Sequence, residues 1–349
     1  MDPLRVLVTG AGSAVGQGII KALRIGKIPV SIVSSDIDSM NAALFRADDA
    51  VLIPKVEENG TLPIIIDRLL RKKIQCVMIG SEFDIEFFST HRETIQRETG
   101  AQIIVSPIET VRIADDKWLT AEFLRKNNLP YARSYIPKDL SDAVCEASNW
   151  QYPVLLKSRT GTSSRHVHFC HSEADISRWY EITPMPMLQQ VLELPADQLN
   201  SEYTCSIFKA KDGQIWGPFT ARRNLRSGHS HVVEVGDFKE LHPLLLAIAK
   251  KMEIVGSLNV QLILGTDGPV PFELNARFSG TTSIRAYFGF NEPEMALRSY
   301  IFEETMLTPA IRKGLSLRFD EQVFLDGFSA NDLANLKGPF PTGKVPSWF

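Results

Sequence analysis

Asn259-Val260-Gln261-Leu262-Ile263-Leu264, then Gly265-Thr266-Asp267-Gly268-Pro269, then Val270-Pro271-Phe272-Glu273-Leu274-Asn275-Ala276-Arg277, is the stretch that decides how the chain reads. Two runs of alternating polar and apolar residues flank a turn containing Gly and Asp, the pattern of an antiparallel hairpin. With the turn centred on Asp267, Gln261 lies opposite Glu273 and Asn259 opposite Asn275. Strand side chains alternate, so these residues share one face with Arg277, while Val260, Leu262, Leu264, Phe272 and Leu274 take the other. A merely solvated face favours Lys, Glu or Thr; this one gathers a carboxylate, carboxamides and a guanidinium. The oxygens suit a hard cation such as Mg²⁺, which takes one or two protein oxygens plus waters and substrate phosphates. Arg277 is placed to meet a transferring phosphoryl group. An ordinary amphipathic hairpin shows the same alternation, so spacing alone leaves both readings open.

Outward from this hairpin, Val154 to Leu156 reads as a strand leading through Lys157 into the polar loop Ser158 to Arg165, with Val167 to Phe169 as its return. Arg159, Thr160, Gly161, Thr162, Ser163 and Ser164 offer hydroxyls, backbone N–H groups and a cation, suited to phosphates or to a plain surface turn. Lys117, at the start of a helix ending near Asn127, is open to the same two readings. Glu202, beside Tyr203 and Thr204, has acceptor lone pairs for the hydroxyls of a ribose, or is a surface carboxylate at a strand start. Arg222, Arg223 and Arg226, near Gly228 and His229, form a cationic group for an anionic ligand, or a solvated loop.

At the amino terminus, the strand-like Leu4 to Val8, the glycines Gly10, Gly12 and Gly16, the helical Val15 to Leu23 and the strand Val30 to Val33 open an alternation of short buried strands and helices. That alternation predicts a parallel sheet covered on both faces. The glycine spacing is GxGxxxG, with Asp36 about twenty residues beyond Gly16, so a dinucleotide loop and a tight strand-to-helix turn both fit.

The 349 residues predict two or three packed lobes, and 44% apolar against 23% charged side chains excludes wholesale disorder. With 38 Lys and Arg against 41 Asp and Glu, the formal charge of −3 lacks the basic excess of a phosphate-gripping nucleic-acid protein. No apolar run approaches the ~18 residues needed to span a bilayer. Cys76, Cys145, Cys170 and Cys205 show no CxxC spacing, so neither a zinc site nor a disulfide framework is expected, and a cytoplasmic location is.

Taken together, these segments resemble the ATP-grasp superfamily, in particular carboxylate–amine ligases similar to the large subunit of carbamoyl phosphate synthetase. The resemblance spans residues 1–310 and rests on Asn259-Val260-Gln261, Phe272 to Thr282, Asp116-Lys117, Pro153 to Ser158 and Ser201 to Cys205. It implies a Rossmann-like lobe over 1–112 and a two-subdomain ATP-grasp fold over 113–310, with a nucleotide cleft near the 188–192 linker. The extension 311–349 would complete or pack on the core. The cofactors implied are ATP and Mg²⁺, with Mn²⁺ as a substitute. Lys117 and Lys157 would contact the phosphates while the 159–165 loop closes over them. Gln189, Gln190, Val191 and Leu192 would face the adenine, and Glu202 the ribose. Glu273 and Asn275 would hold the metal, with Gln261 as a further metal- or phosphate-facing group, and Arg277, Lys157 and Arg223 would form the catalytic set.

Ser13, Asp36, Ser81 and Glu82 are candidates for the rim of the acceptor cleft. The implied reaction joins a small carboxylate to an amine, amino acids included, through an acyl phosphate, in an enzyme expected to be a homodimer without nucleic-acid or membrane partners. Carboxyphosphate or carbamate chemistry, a nucleotide-binding protein without turnover, and an NAD(P)-dependent oxidoreductase are the alternatives. In this family Gln261 and Gln190 stand where many members carry acidic residues.

Overall fold

Strand β1 (Leu4–Val8) leaves only Arg5 partly exposed, as a strand covered on both faces must. The computed structural model describes residues 3–161, 166–192, 202–320 and 322–344. In it, β1 is central to a five-stranded parallel sheet with β2 (Val30–Asp36), β3 (Asp49–Leu52), β4 (Cys76–Met78) and β5 (Gln102–Ile104), in the order β3-β2-β1-β4-β5. Alternate residues of β1 feed different cores: Val6 and Val8 pack with Ile19 and Ile32, whereas Leu7 packs with Val33, Ile65 and Phe88.

The amino-terminal glycines serve close packing. A Cβ on Gly12 would lie 1.4 Å from Asn41 Nδ2, and one on Gly16 would lie 2.3 Å from the Gly10 carbonyl oxygen. Asp36 turns its carboxylate onto this loop, accepting from the Gly12 N–H at 2.9 Å and Asn41 Nδ2 at 3.1 Å. The acid that a dinucleotide ribose would use is thus engaged by the turn itself.

A second, antiparallel sheet comprises β6 (Ser134–Tyr135), β7 (Val154–Ser158), β8 (Val167–Cys170) and β9 (Pro186–Gln190), in the order β6-β9-β7-β8. Helices Leu140–Trp150 and Glu173–Trp179 back it. Ala143, Ala147, Val154, Leu156, Cys170, Ile176 and Leu188 form a core of its own.

The third sheet contains β10 (Glu202–Lys209), β11 (Ile215–Phe219), β12 (Ala221–Arg226), β13 (His229–Val235), β14 (Gly256–Gly265), β15 (Gly268–Asn275) and β16 (Gly314–Leu317). Its order is β15-β14-β10-β12-β13-β16, with β11 paired to β10. One face packs Leu258, Val260, Leu262 and Leu274 against Leu124, Leu245 and Ile248 of the helices Lys117–Lys126 and His242–Lys251. Phe208, Phe219 and Phe290 share a core with Ile19 and Ile20, so apolar packing runs continuously from the first lobe into this sheet.

Two segments differ from expectation or extend it. The 222–231 region, read as a group of cations in a loop, is the hairpin β12–β13, whose turn residues Ser227 and Gly228 both have positive φ (51° and 75°). Turns with two left-handed residues follow the natural strand twist and need small or flexible residues, as here. Past residue 311, β16 adds an edge to the sheet, and Leu333 and Phe340 pack on Leu44 and Phe45 of the first lobe. Among the described residues no helix is long and apolar enough to cross a membrane.

Candidate active site

The polar face of β14–β15 forms by a slightly different route from the one the spacing implies. Gly265 pairs with Gly268, so the turn is centred between Thr266 and Asp267, and a bulge at Phe272 adds the residue that brings Gln261 opposite Glu273 and Asn259 opposite Asn275. The bulge also moves Phe272 off the apolar face, where alternation places it, and into a cavity beside Glu273. A single added residue reverses which face a strand side chain takes.

On this face a chain of hydrogen bonds runs sideways across four strands. Glu273 Oε1 accepts from Asn275 Nδ2 at 2.9 Å and Gln261 Nε2 at 2.8 Å. Gln261 Oε1 in turn accepts from Arg223 Nη2 at 2.7 Å, and Arg223 pairs with Glu202, its Nε donating at 2.8 Å. Of the three arginines read as one group, Arg223 alone joins this chain. Arg222, on the opposite face of β12, pairs with Glu234 at 2.5 Å, and Arg226 is exposed at the hairpin end. Beneath lies a buried network: Asn259 Oδ1 accepts from Thr204 Oγ1 at 3.0 Å and Arg285 Nη2 at 2.5 Å. Arg285 pairs with Glu292 at 3.1 Å, both side chains being 0% exposed, and the Ser206 and Ser257 hydroxyls also reach Glu292.

Among the described residues no three His, Cys, Asp or Glu side chains cluster as a metal site. The donor set on this face that fits a cation is one carboxylate, Glu273, with the carboxamide oxygen of Asn275, and that of Gln261 once it turns from Arg223. It is all oxygen and singly negative, which suits a hard ion completing its shell with phosphates and water.

Facing β14–β15 is the second sheet, and between them lies a cavity of about 270 Å³. Leu155, Lys157, Val167 and Phe169 share the face of β7–β8 turned toward it, opposite the face that fills the small core. With Val191, Leu192, Leu225, Ile263 and Phe272 they make apolar walls for a planar base. Gln189, Gln190, Glu202, Lys117 and Gly161 also line the cavity. Lys157 is 4% exposed and donates to Gln189 Oε1 at 2.6 Å. Burial, aided by Lys117, pulls its ammonium down to about 7, while Glu273 acts in the opposite sense.

The loop after β7 departs from its assigned arrangement at one point. Arg159 pairs with Asp116 at 2.5 Å, the residue that caps the helix Lys117–Lys126, and neither Arg159 nor Thr160 lines the cavity. Lys117 Nζ donates to the Gly161 carbonyl at 2.8 Å. Thr162, Ser163 and Ser164 lie outside the described residues.

A second cavity, about 300 Å³, opens toward the first lobe and shares Arg223, Leu225, Gln261 and Glu273 with the first. Ser13, Ser81 and Glu82 line it, whereas Asp36, turned onto its own loop, does not. The two serines also cap the helices Ala14–Ile25 and Glu82–Thr90, so lining the cavity and capping a helix coexist. Arg277 enters from below, its side chain 13% exposed, with Nη2 3.4 Å from Glu82 Oε2 and Nη1 donating to the Phe278 carbonyl at 2.9 Å. Burial lowers its pKa from the usual value, opposed by Glu82 and Glu273, and an arginine so placed stays charged.

Sequence reasoning passed over Arg285, Glu292 and Arg318, the last of which lines the second cavity. Nothing local marks them: two sit around a short helix and the third just past an edge strand. Leu155, Val167 and Phe169 were legible through alternation with the core residues Val154, Leu156 and Cys170.

The sequence over residues 196–323 matches the family described as ATP-grasp in the biosynthetic pathway with Ter operon. The chain is 21% identical over 312 residues to the arginine-specific large chain of carbamoyl phosphate synthase from Cutaneotrichosporon cutaneum, covering 81% of this chain and 26% of that one. It therefore spans about a quarter of the length of the curated relatives it matches. Among solved structures, the biotin carboxylase domain of Hydrogenobacter thermophilus 2-oxoglutarate carboxylase, in complex with MgADP, ADP and bicarbonate, aligns with a TM-score of 0.69 at 19% identity, over 89% of this chain and 73% of that one. Carboxyaminoimidazole ribonucleotide synthase from Aspergillus clavatus, complexed with ATP, aligns with a TM-score of 0.69 at 16% identity, over 90% and 81%. With a parallel-sheet lobe followed by two antiparallel sheets around a cleft, the chain has the fold of these ATP-grasp structures, matches an ATP-grasp family over residues 196–323 and resembles the large chain of carbamoyl phosphate synthase.

Proposed function

We propose that the chain is an ATP-dependent carboxylate–amine ligase that forms an amide or peptide-type bond through an acyl phosphate, releasing ADP and phosphate. The observation that carries this reading is the meeting of the two cavities at Arg223, Leu225, Gln261 and Glu273. ATP seated between β7–β9 and β14–β15 presents its terminal phosphate where the second cavity begins. In that assignment residues 113–310 hold the nucleotide, 1–112 supply the far wall of the acceptor cavity, and 311–349 complete the sheet edge. The named activities of the similar proteins, and the ATP and MgADP bound in two of them, support ATP use.

A free carboxylate is a poor acyl donor, because oxide would have to leave. In the first step a substrate carboxylate oxygen attacks the γ-phosphorus, the bond to the β,γ-bridging oxygen breaks, and ADP departs. In the second, the lone pair of an amine attacks the acyl carbon, phosphate leaves with the bonding electrons, and the amine gives up a proton to solvent. Lys157 and Lys117 hold the phosphates, Gln189 to Leu192 the base, and Glu202 the ribose. Arg223, shared by the two cavities, and Arg277, in the second, neutralise charge as it moves onto the transferred phosphoryl group. Glu273, Gln261 and Asn275 would hold Mg²⁺, which when bound reduces repulsion between the triphosphate and the incoming carboxylate. No side-chain nucleophile is required.

The test is a screen of paired small carboxylates, bicarbonate included, and amines with MgATP, reading ADP and phosphate together with products by mass spectrometry. The reading expects ADP, phosphate and one amide product in equal amounts, each requiring both substrates. Nucleotide binding with no turnover across the panel would instead mark a binding protein without ligase activity.

A further inference from the structure

Among the described residues three guanidiniums line the acceptor cavity, those of Arg223, Arg277 and Arg318, against two carboxylates, Glu82 and Glu273. Two of the three are committed, Arg223 to Glu202 and Gln261, and Arg277 to Glu82. Arg318 is not. Its Nη2 lies 3.4 Å from the Gly280 carbonyl oxygen, at the limit of a hydrogen bond, and no carboxylate of the described residues pairs with it. Its backbone is nevertheless fixed: the N–H donates to the His231 carbonyl at 2.9 Å, continuing the ladder in which Leu317 pairs with Val232. Strand alternation then separates the neighbours, with Leu317 and Phe319 lining an exposed apolar groove and Arg318 lining the acceptor cavity. A held fork of donors in a cavity, with no carboxylate partner among the described residues, is a recognition element for a planar or tetrahedral anion.

We propose that Arg318 binds an anionic group of the acceptor, separate from the carboxylate that is phosphorylated, so that the substrate is a small dianion: an acid bearing a second carboxylate or a phosphate. This rests on the ligase reading, which sets the reacting carboxylate at the Glu273 end, where the two cavities join. The cavity volume of about 300 Å³ is that of about ten waters, room for a compact metabolite. The helix Ala14–Ile25 begins at the same cavity with Ala14 and Val15, adding the positive end of its dipole.

The test titrates the whole protein with succinate, with phosphoglycolate and with succinamate, which keeps the shape of succinate but loses one charge, with and without saturating MgADP. Affinity is read from thermal upshift at fixed ionic strength, in wild type, Arg318→Ala and Arg318→Lys. The proposal expects one of the two dianions to stabilise wild type, with succinamate at least tenfold weaker. Arg318→Ala should weaken that dianion about ten- to hundredfold, Arg318→Lys should recover part of the loss, and the MgADP upshift should be the same in all three proteins. Which dianion binds separates carboxylate from phosphate. Equal dianion affinity in wild type and Arg318→Ala, equal binding of succinamate, or no dianion binding would overturn it while leaving the ligase reading standing. A wild type that MgADP does not stabilise would instead overturn the ligase reading.

Discussion

The two walls of the cavity between β7–β9 and β14–β15 are held by different means. The floor, on β14 and β15, rests on a fully buried Arg285–Glu292 pair that braces Asn259, and above it a hydrogen-bonded chain from Asn275 to Glu202 fixes the donor atoms. The roof, on β7 to β9, has a small apolar core, and it meets the helix Lys117–Lys126 through Arg159–Asp116 and Lys117–Gly161. A floor built of directional bonds sets positions; a roof on its own core can shift as a unit. The largest effect should follow from breaking the floor. Arg285→Ala leaves Glu292 charged and buried, which costs about 3–5 kcal/mol. Chemical denaturation should register that loss, whereas Arg285→Met combined with Glu292→Leu should recover much of it. Losses that simply add in the double variant would show that the pair is not the brace.

Next in size is the loss of the floor's single carboxylate. Glu273→Gln keeps a similar shape and a hydrogen-bonding oxygen for Gln261 and Asn275, so the folded fraction should hold. Turnover should fall by about 10²–10³-fold, the scale seen when a preorganised charge-stabilising group is removed. Unchanged ATP-dependent ADP release at saturating Mg²⁺ would remove Glu273 from the cation site and move the comparison's functional weight to the roof.

What could be read in the sequence follows the same division. The alternation of β14 and β15 was legible because each strand pairs with its neighbour in sequence, and strands with a short turn leave few registers to choose from. Even so, the bulge at Phe272 was not, since an extra residue leaves the composition of both faces unchanged while moving one aromatic side chain across the strand. The β12–β13 hairpin was obscured by its charges: Arg222 and Arg223 look like one cluster until the pleat sends them to opposite faces. Arg285 and Glu292 were hidden for a deeper reason. The two lie only seven residues apart, but their burial and their other partners come from distant parts of the chain: Arg285 reaches Thr204 and Asn259, and the Ser206 and Ser257 hydroxyls reach Glu292, through the fold alone. The glycine loop offered two readings that only the orientation of Asp36 separates, toward the Gly12 amide.

The roof can be probed through its buried lysine. Lys157 has its pKa lowered to about 7 by burial, so above that pH the free protein holds it mostly neutral, whereas a bound triphosphate favours the ammonium. Binding MgATP then takes up a proton, and affinity should weaken by roughly tenfold between pH 7 and 8.5, as one coupled proton allows. Folding has the opposite sign: an unfolded lysine keeps its proton to about 10.4, so this group's contribution to stability rises as pH increases above 7. Calorimetry in buffers of different ionisation enthalpy measures the uptake directly. A Lys157→Met variant with the same pH slope would assign the proton to another group.

The smallest effect tests whether the roof merely covers the base. Phe169 is 59% exposed and lines the cavity from the same face of β7–β8 as Leu155 and Lys157. Its ring contributes area and not charge, so Phe169→Ala should weaken ADP binding by about 1 kcal/mol, roughly fivefold, the scale of one aromatic contact. Being a contact made equally before and during phosphoryl transfer, its loss should raise KM for ATP and leave kcat in place. A fall in kcat of the size expected for Glu273→Gln would mean that the roof orients the phosphates as strictly as the floor does, and the two walls would no longer differ in kind.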